Sequence, residues 1–277
     1  MSIARLMRMG AAAGVPSSSM FGPSYSNWDG SYINFSATAD SVGGSDSNLN
    51  GTQHFYDPVT SRVYDGYNNN NNMAYHTGSP MLWNGGDSQL PTGFSPPGIT
   101  GTTMVYQNNT SYVLFGAYNG ADVVYVYENA TTPVYKGSFI LANQPTGICF
   151  AEWNGDPVLW VSSRISEIKR YAIPDLESLT GATITAAGAI NTSSVSNAYN
   201  LLYGGRDSSG YQYFYYKTTA GVYQDKILDN SPDNSSCSLV SLNTSTLGLY
   251  GLYIDYGNEY LYSGGLQNRT LYRYPIV

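Results

Sequence analysis

A strand-rich unit recurs at intervals of 45 to 54 residues along most of this 277-residue chain. Each unit reads as a strand, a short polar turn, a second strand that ends in an aromatic residue, another turn and a third strand. The aromatics at equivalent positions are Tyr64, Phe115, Trp160, Phe214 and Tyr262. A repeat of this length is typical of β-propeller blades, because one blade cannot bury both of its faces alone.

The repeat predicts an all-β fold, a five-bladed β-propeller over residues 31–277. Five units of about fifty residues leave about thirty residues at the N-terminus, so residues 1–30 are predicted to be an extension outside the ring. Fourth strands are expected after four of the triplets, at Met81–Asn84, Lys136–Leu141, Ala182–Ala187 and Ser236–Leu242.

The last unit has no room for a fourth strand of its own. The stretch Ser31–Ala37 has strand character, although it precedes the first unit. We therefore expect Ser31–Ala37 to close the ring by pairing with the final blade beside Leu271–Tyr274, which removes an unpaired sheet edge.

Composition restricts the function classes. Charged residues are only 11% of the chain, and the net charge is −7. Phosphate recognition needs a basic surface, so this charge argues against a nucleic-acid partner. No apolar run reaches the roughly 18 residues of a membrane-spanning helix.

Cys149 and Cys237 lack the paired spacing of a zinc site, and no cofactor is predicted. Hydroxyls and amides in place of charges favour a secreted or particle-exposed β protein.

Catalytic motifs are absent from the sequence. It contains no nucleophile elbow, zinc-protease helix or phosphate loop, and neither His54 nor His76 has a telling neighbour. Glycosidases need two carboxylates. The candidates are Asp122, Glu128, Glu152, Asp156, Asp207, Asp225 and Asp255. Three of these, at positions 156, 207 and 255, lie in expected hairpin turns, where aspartate caps the turn backbone. The chain is therefore predicted not to be an enzyme.

Loop aromatics and amides are the better candidates for ligand binding. The ligand-binding candidates are Trp28, Trp83, Tyr118 and Asn119, with Trp153 expected in a turn at the opposite end of its blade. Tyr211, Tyr213 and Tyr215 alternate along one strand, with Phe214 and Tyr216 on its other face, and packing between blades is their expected role. Asp40 and Asp46 leave a calcium site open, although their spacing fails the EF-hand pattern.

The N-terminal segment differs from the rest of the chain. Ile3, Leu6 and Met7 recur at i, i+3 and i+4 with Arg5 between them, which predicts a short amphipathic helix. Arg8 interrupts the apolar run that a secretory signal needs. The alternatives are then a cleaved signal peptide, a tail without a role and a docking segment. As a docking segment, it would anchor the protein through Ile3, Arg5, Leu6 and Met7.

Two resemblances extend this interpretation. The last unit resembles an NHL-type propeller repeat through Gly251, Asp255, Gly257, Tyr260–Tyr262, Arg269 and Tyr272. The third unit matches through Gly147, Gly155, Val158–Trp160 and Ile168–Tyr171, with Glu152 near the aspartate position. The resemblance implies a propeller of a family that binds many ligands and includes scaffolds without catalysis.

The segment MSIARLMRMGAAAGVP resembles the opening of marine bacteriophage virion proteins, in which it precedes β-rich appendage domains. The resemblance implies a virion structural protein, a tail or fibre appendage present in several copies. Its partners would be other virion proteins, contacted through the N-terminal segment, and host-surface glycans. The alternatives are a secreted sugar-binding propeller and a glycan-degrading enzyme.

Overall fold

The computed structural model describes seventeen parts of the chain. They are residues 24–25, 36, 40–41, 51–57, 62–67, 72–77, 98–117, 122–130, 132–163, 167–191, 199–207, 209–218, 221–228, 231–240, 249–255, 260–265 and 271–275. Within them the regular secondary structure consists of β-strands, and none of these residues belongs to a helix that could cross a membrane.

The described strands number twenty. In chain order they are β1 Ser24–Tyr25, β2 Asp40–Ser41, β3 Gly51–Asp57, β4 Arg62–Tyr67, β5 Asn72–Thr77, β6 Ile99–Gln107, β7 Thr110–Ala117, β8 Val123–Glu128, β9 Val134–Ile140, β10 Pro145–Trp153, β11 Asp156–Ser163, β12 Glu167–Ala172, β13 Gly188–Asn191, β14 Tyr199–Asp207, β15 Gln212–Thr218, β16 Gly221–Leu228, β17 Ser231–Val240, β18 Leu249–Asp255, β19 Tyr260–Gly265 and β20 Leu271–Pro275.

These strands form five sheets, each built from consecutive antiparallel strands. The sheets are β3–β5, β6–β9, β10–β13, β14–β17 and β18–β20, here called blades 1 to 5, with β1 added to blade 4 and β2 added to blade 5. The first strand of each blade contacts the first strand of the next, and β18 contacts β3, so the contacts close a ring. The predicted all-β propeller is confirmed. The five-blade count stays a prediction for the whole chain, with five sheets in its described part.

The first strands of the blades, β3, β6, β10, β14 and β18, are the inner strands of the ring. Near its start, each inner strand is bulged against the second strand of its blade. A bulge bends a strand and increases its twist, which lets neighbouring blades meet closely at the ring. At Gly147 the approach is so close that a Cβ would lie 2.8 Å from the Asn200 nitrogen of β14.

The ring is closed by an N-terminal strand, as predicted. Asp40 and Ser41 of β2 pair antiparallel with Arg273 and Tyr272 of β20. The pairing thus lies a few residues after the predicted stretch 31–37. Of that stretch only Ser36 is described, and its backbone N–H donates to the Pro275 carbonyl at 2.8 Å. The position of the closing strand depends on its backbone register against β20. The strand character of residues 31–37 does not specify that register.

The connection between β12 and β13, residues 173–187, crosses from blade 3 onto blade 2. The Leu176 N–H donates to Gln107 Oε1 at 2.7 Å, and the buried Leu176 side chain joins the core between the two blades. Further along, Thr183 forms a parallel bridge with Ile140 on the outer strand β9. The predicted fourth strand Ala182–Ala187 is therefore wrong. This segment covers the edge of the neighbouring blade, and β13 pairs with β12 six residues later.

Aromatic side chains fill the space between blades 3 and 4. Trp160 is 1% exposed, and its ring centroid lies 5.0 Å from that of Phe214 on the facing blade. On the other face of β15, Tyr213 and Tyr215 are fully buried, which confirms the packing role predicted for them, whereas Tyr211 is only partly buried. The repeat aromatics whose side chains are described, Phe115, Trp160 and Phe214, are therefore buried in the packing of their blades.

Candidate functional site

The predicted anchor and ligand-binding side chains lie outside the described residues, so these assignments stay predictions. They are Ile3, Arg5, Leu6 and Met7 in the N-terminal segment, and Trp28, Trp83, Tyr118 and Asn119 in the expected loops. Among the described side chains, charged and aromatic groups gather where the inner strands of blades 3 and 4 turn into the second strands. We call this end of the ring the hairpin end.

An ion pair joins blades 3 and 4 at the hairpin end. Glu152 and Arg206 each lie one residue before the end of their inner strands, β10 and β14. Glu152 Oε1 and Arg206 Nη2 are 2.9 Å apart, and the two side chains are 26% and 25% exposed. Arg206 Nη1 also donates to the Gly210 carbonyl at 2.9 Å. The guanidinium is therefore held in one orientation while part of it faces solvent.

Asp207, the next residue, organises the hairpin between β14 and β15. Its Oδ1 accepts from the backbone N–H groups of Ser209 and Tyr211, both at 2.9 Å. Its Oδ2 accepts from the Tyr213 hydroxyl at 2.8 Å. The predicted turn-capping role of Asp207 is confirmed. Because three donors occupy this buried carboxylate, its function is to position the strand end that carries Arg206.

Trp153 ends β10 and lies beside the ion pair in sequence. It enters a two-residue turn in which Asn154 and Gly155 have φ of 51° and 81°, typical of a tight hairpin. Its predicted place in a turn is confirmed. The Arg170 guanidinium carbon lies 4.0 Å from the centroid of the Trp153 ring, and Arg170 Nη2 donates to the Ala187 carbonyl at 3.0 Å. This cation–π contact fixes a partly buried indole at the hairpin end.

A second aromatic and cation pair lies on blade 4. The Lys226 Nζ atom is 5.2 Å from the ring centroid of Tyr211, which follows the Asp207 turn. Both Lys226 and Tyr211 are partly buried. Arg206 pairs with Gln212 and Lys226 pairs with the next residue, Tyr213, so Arg206 and Lys226 project from opposite faces of blade 4. We therefore call Glu152, Trp153, Arg170 and Arg206 the end cluster. It presents a carboxylate and two guanidinium groups beside an indole ring at the junction of blades 3 and 4.

Two buried ionisable groups lie in blade 4 apart from the end cluster. Burial raises the pKa of Asp225 to about 7, and the nearby Tyr216 hydroxyl opposes part of this shift. Burial lowers the pKa of Lys217 to about 8. Shifts of this size are common at functional sites. Asp225, however, is fully buried beneath the packing of blades 3 and 4, so it does not contact solvent.

The other candidate carboxylates and the histidines lie away from the end cluster or have side chains outside the described part of the structure. Glu128 pairs with Lys136 at 3.5 Å on blade 2, and Asp156 is exposed in the turn after Trp153. His54 and His76 lie on β3 and β5, and Asp255 ends β18. Asp40 lies in β2, whereas Asp46 falls outside the described residues. No described group of three or more His, Cys, Asp and Glu side chains is placed to hold a metal.

In the sequence Glu152 is one of seven candidate carboxylates, and no local motif marks Arg170 or Arg206 as functional. Arg206 lies 54 residues after Glu152, and no local motif links the two. One signal was available. Both residues occupy the same position in successive repeats, immediately before the residue that ends the inner strand, and neighbouring blades bring equivalent positions together.

Comparisons with known proteins bear on the fold. No protein-family model and no curated protein matches the chain. The solved structure of exo-β-1,3-galactanase from Phanerochaete chrysosporium with galactose is similar, with a TM-score of 0.61 at 12% identity, over 87% of this chain and 67% of that one. A variant of the same galactanase with β-1,3-galactotriose gives 0.57 at 14% identity, over 88% and 67%. Virginiamycin B lyase from Staphylococcus aureus gives 0.44 at 12%, over 84% and 68%.

The two galactanase likenesses agree with the β-propeller fold, and at such identities they show the fold alone. They give no support to the NHL resemblance or to the resemblance of the N-terminal segment to virion proteins. The prediction that the chain is not an enzyme was wrong, since its fold is shared with an exo-β-1,3-galactanase. A missing sequence motif does not exclude catalysis in a propeller, because separate blades supply the residues of a site.

Proposed function

We propose that this protein is a glycan-recognising β-propeller, carried on a bacteriophage particle by its N-terminal segment. The observation that supports recognition is the partly exposed Glu152–Arg206 ion pair, with the partly buried Trp153 immediately after Glu152 in the chain. The end cluster is the proposed contact surface for the sugar.

The chemistry of the end cluster suits a carbohydrate. Sugar hydroxyls both donate and accept hydrogen bonds, so a carboxylate and a guanidinium held 2.9 Å apart offer one acceptor and one donor to the same ring. The C–H faces of a sugar are apolar and pack on aromatic rings such as that of Trp153. Binding sites combine apolar walls with a few well-placed polar groups in this way.

Replacing Arg206 by glutamine is expected to weaken glycan binding about tenfold or more, since the charged donor and its hold on Glu152 are both lost. The matched control is Lys136→Gln, which breaks a similarly exposed ion pair, Lys136–Glu128, on the outer part of blade 2. Exposed ion pairs contribute about 0–1 kcal/mol to stability, so both variants should fold. Binding is measured by calorimetry with β-1,3-galactotriose and by a glycan array.

Equal losses in the two variants would contradict the assignment of the end cluster, and failure of the natural protein to bind any glycan would contradict recognition itself. Hydrolysis is the second candidate function, favoured by the fold shared with the galactanase. Analysis of the incubated oligosaccharides for shorter products separates it from binding alone.

Display on a particle is supported by the charge-poor, hydroxyl- and amide-rich composition and by the amphipathic pattern of Ile3, Leu6 and Met7. These three side chains offer only a small apolar face, which gives weak docking for one copy. Several copies on one symmetric assembly dock together, and their combined avidity far exceeds that of each contact. The virion surface is the proposed location, and other virion proteins are the proposed partners of residues 1–30.

Deleting residues 1–19 is expected to leave the melting temperature unchanged and to abolish incorporation into the particle. The reason is that the repeat units, and every described strand, lie after this segment. Copies per particle are counted by quantitative mass spectrometry of purified virions carrying the full or shortened protein. Normal incorporation of the shortened protein would contradict the anchor, and a lower melting temperature would place residues 1–19 in the folded propeller.

A further inference from the structure

The connection between β12 and β13 covers the hairpin end on the blade 2 side of the end cluster. Gln107, the last residue of β6, bonds to the backbone of this connection through both side-chain atoms. Its Nε2 donates to the Pro174 carbonyl at 3.0 Å, and its Oε1 accepts from the Leu176 N–H at 2.7 Å. The Tyr112 hydroxyl of β7 donates to Glu177 Oε1 at 2.6 Å. A ligand longer than the end cluster would therefore extend over blade 4, toward blade 5.

The far side of blade 4 carries its own aromatic and cationic pair at the same end. Lys226 is paired with Tyr213 on β15. The next residue, Phe214, contacts Trp160 of blade 3. Because successive residues of a strand point to opposite faces, Lys226 points toward blade 5. Its Nζ atom lies 5.2 Å from the ring centroid of Tyr211, and both residues are partly exposed. We call Tyr211 and Lys226 the second pair.

The backbone of Tyr211 is fixed by the hairpin turn. Asp207 Oδ1 accepts from the Tyr211 N–H at 2.9 Å, and the Asp207 N–H donates to the Tyr211 carbonyl at 2.9 Å. An aromatic ring on a rigid backbone loses little conformational freedom when a ligand binds to it. Both bonds use backbone atoms of Tyr211, so a change of its side chain leaves them in place.

Small residues lie on the crossing from the end cluster to the second pair. The turn between β14 and β15 includes the exposed Ser209 and then Gly210, with φ of 88°. Short side chains let a bound molecule approach the backbone closely. Facing sheets are about 10 Å apart, so contact sites on the two sides of one blade are separated by about that distance. A single sugar ring cannot reach both sites, whereas a linear oligosaccharide can.

We infer that the second pair is a further glycan subsite and that the ligand is a linear oligosaccharide lying across the hairpin end of blade 4, an inference that rests on the proposed function. One sugar unit contacts the end cluster. A later unit packs its C–H face on the Tyr211 ring, while the Lys226 ammonium donates to its hydroxyls. The second contact raises the affinity because it forms within a complex that the first contact has already made.

The test is calorimetry with galactose, β-1,3-galactobiose, β-1,3-galactotriose and longer oligomers of the same linkage. The affinity of the natural protein is expected to rise about tenfold or more from the shortest ligand that binds to the oligomers that span blade 4. Tyr211→Ala is expected to remove this rise and to leave the affinity for the shortest ligand unchanged. Lys226→Gln should reduce the rise in part.

The matched control is Tyr135→Ala, which removes a ring that is 51% exposed on β9 of blade 2 and should keep the full rise. Melting temperatures show whether each variant is folded, and Lys226→Gln tests the subsite without any change to Tyr211. An unchanged rise in Tyr211→Ala or in Lys226→Gln would overturn the subsite, as would equal losses for short and long ligands.

The natural protein separates the inference from the proposed function. An affinity that does not depend on ligand length would overturn the second subsite and leave recognition by the end cluster standing. Absence of binding at every length, and to every glycan of an array, would remove the proposed function and this inference with it.

Discussion

Replacing Asp225 by asparagine is expected to stabilise the protein by up to about 4 kcal/mol at pH 7.5 and to change nothing near pH 4. Asp225 is fully buried on β16, and burial raises its pKa from the ordinary value of 3.8 to about 7. Asparagine keeps the size and the hydrogen-bonding oxygen of the side chain but carries no charge. It therefore removes the cost of an ionised group between blades 3 and 4.

The direction of the pH dependence follows from proton binding. Between pH 3.8 and about 7 the folded state holds the Asp225 proton and the unfolded state does not. The free energy of unfolding of the natural protein therefore falls by about 1.4 kcal/mol for each pH unit across this range and is level above it, as far as this group is concerned. The asparagine variant lacks this decrease. The difference in the free energy of unfolding between the two proteins therefore grows as the pH rises.

The measurement is urea unfolding of both proteins at pH values from 4 to 7.5. Work below pH 8 also avoids Lys217, whose pKa is lowered to about 8 and whose titration raises stability with pH above that value. Asp156→Asn, at an exposed position, is the matched control and should change the free energy of unfolding by no more than about 0.5 kcal/mol. If the difference in the free energy of unfolding between the natural protein and Asp225→Asn did not grow from pH 4 to 7.5, the result would contradict a raised pKa of the buried Asp225 carboxyl group.

The sequence predicts the blade architecture because strand pairing within a blade is local. Phe115, Trp160 and Phe214 lie on β7, β11 and β15, the second strands of three successive blades, and all three are buried. Their spacing alone therefore predicts the length of the repeat and the layer that packs between blades. The same regularity predicts that the last blade lacks a strand, which the N-terminal part of the chain supplies.

Other features do not follow from the repeat, because they depend on contacts between blades or on very short segments. Ala182–Ala187 has strand character, yet backbone bonds to Ile140 draw it onto the neighbouring blade. Ser24 and Tyr25 are too few to give a strand pattern at all. The positions of these segments depend on strand register and on unpaired strand edges that exist only after the ring has formed. A single sequence shows neither feature.

The residues of the candidate site likewise divide into those that a local sequence signal predicts and those that depend on contacts between blades. The turn role of Asp207 can be predicted because Asp-Ser-Ser-Gly is a local turn signal, and the position of Trp153 follows from the Asn-Gly turn after it. The Glu152–Arg206 pair cannot be predicted in this way, since the two side chains meet only when β10 and β14 become neighbours in the ring. Buried Asp225 is likewise indistinguishable in sequence from a solvent-exposed strand aspartate.

Replacing Trp160 by alanine is expected to lower the free energy of unfolding by about 3–5 kcal/mol, the usual loss for a buried aromatic that leaves a cavity. The ring is 1% exposed and lies between Trp153, at 5.7 Å, and Phe214, at 5.0 Å. Trp160 therefore joins the two blades that carry the end cluster and also supports Trp153. Thermal and urea unfolding should show the loss, and glycan binding should fall with it.

Two further variants show whether this loss comes from packing. Tyr135→Ala removes an aromatic ring that is 51% exposed on β9 and should cost less than about 1 kcal/mol. Trp160→Phe should recover most of the stability, because the Trp160 Nε1 atom has no hydrogen-bond partner among the described atoms and only ring volume is lost. Equal losses for Trp160→Ala and Tyr135→Ala would contradict a tightly packed junction between blades 3 and 4. An intact end cluster in a Trp160→Ala protein that remains folded would show that Arg170 alone holds Trp153 in place.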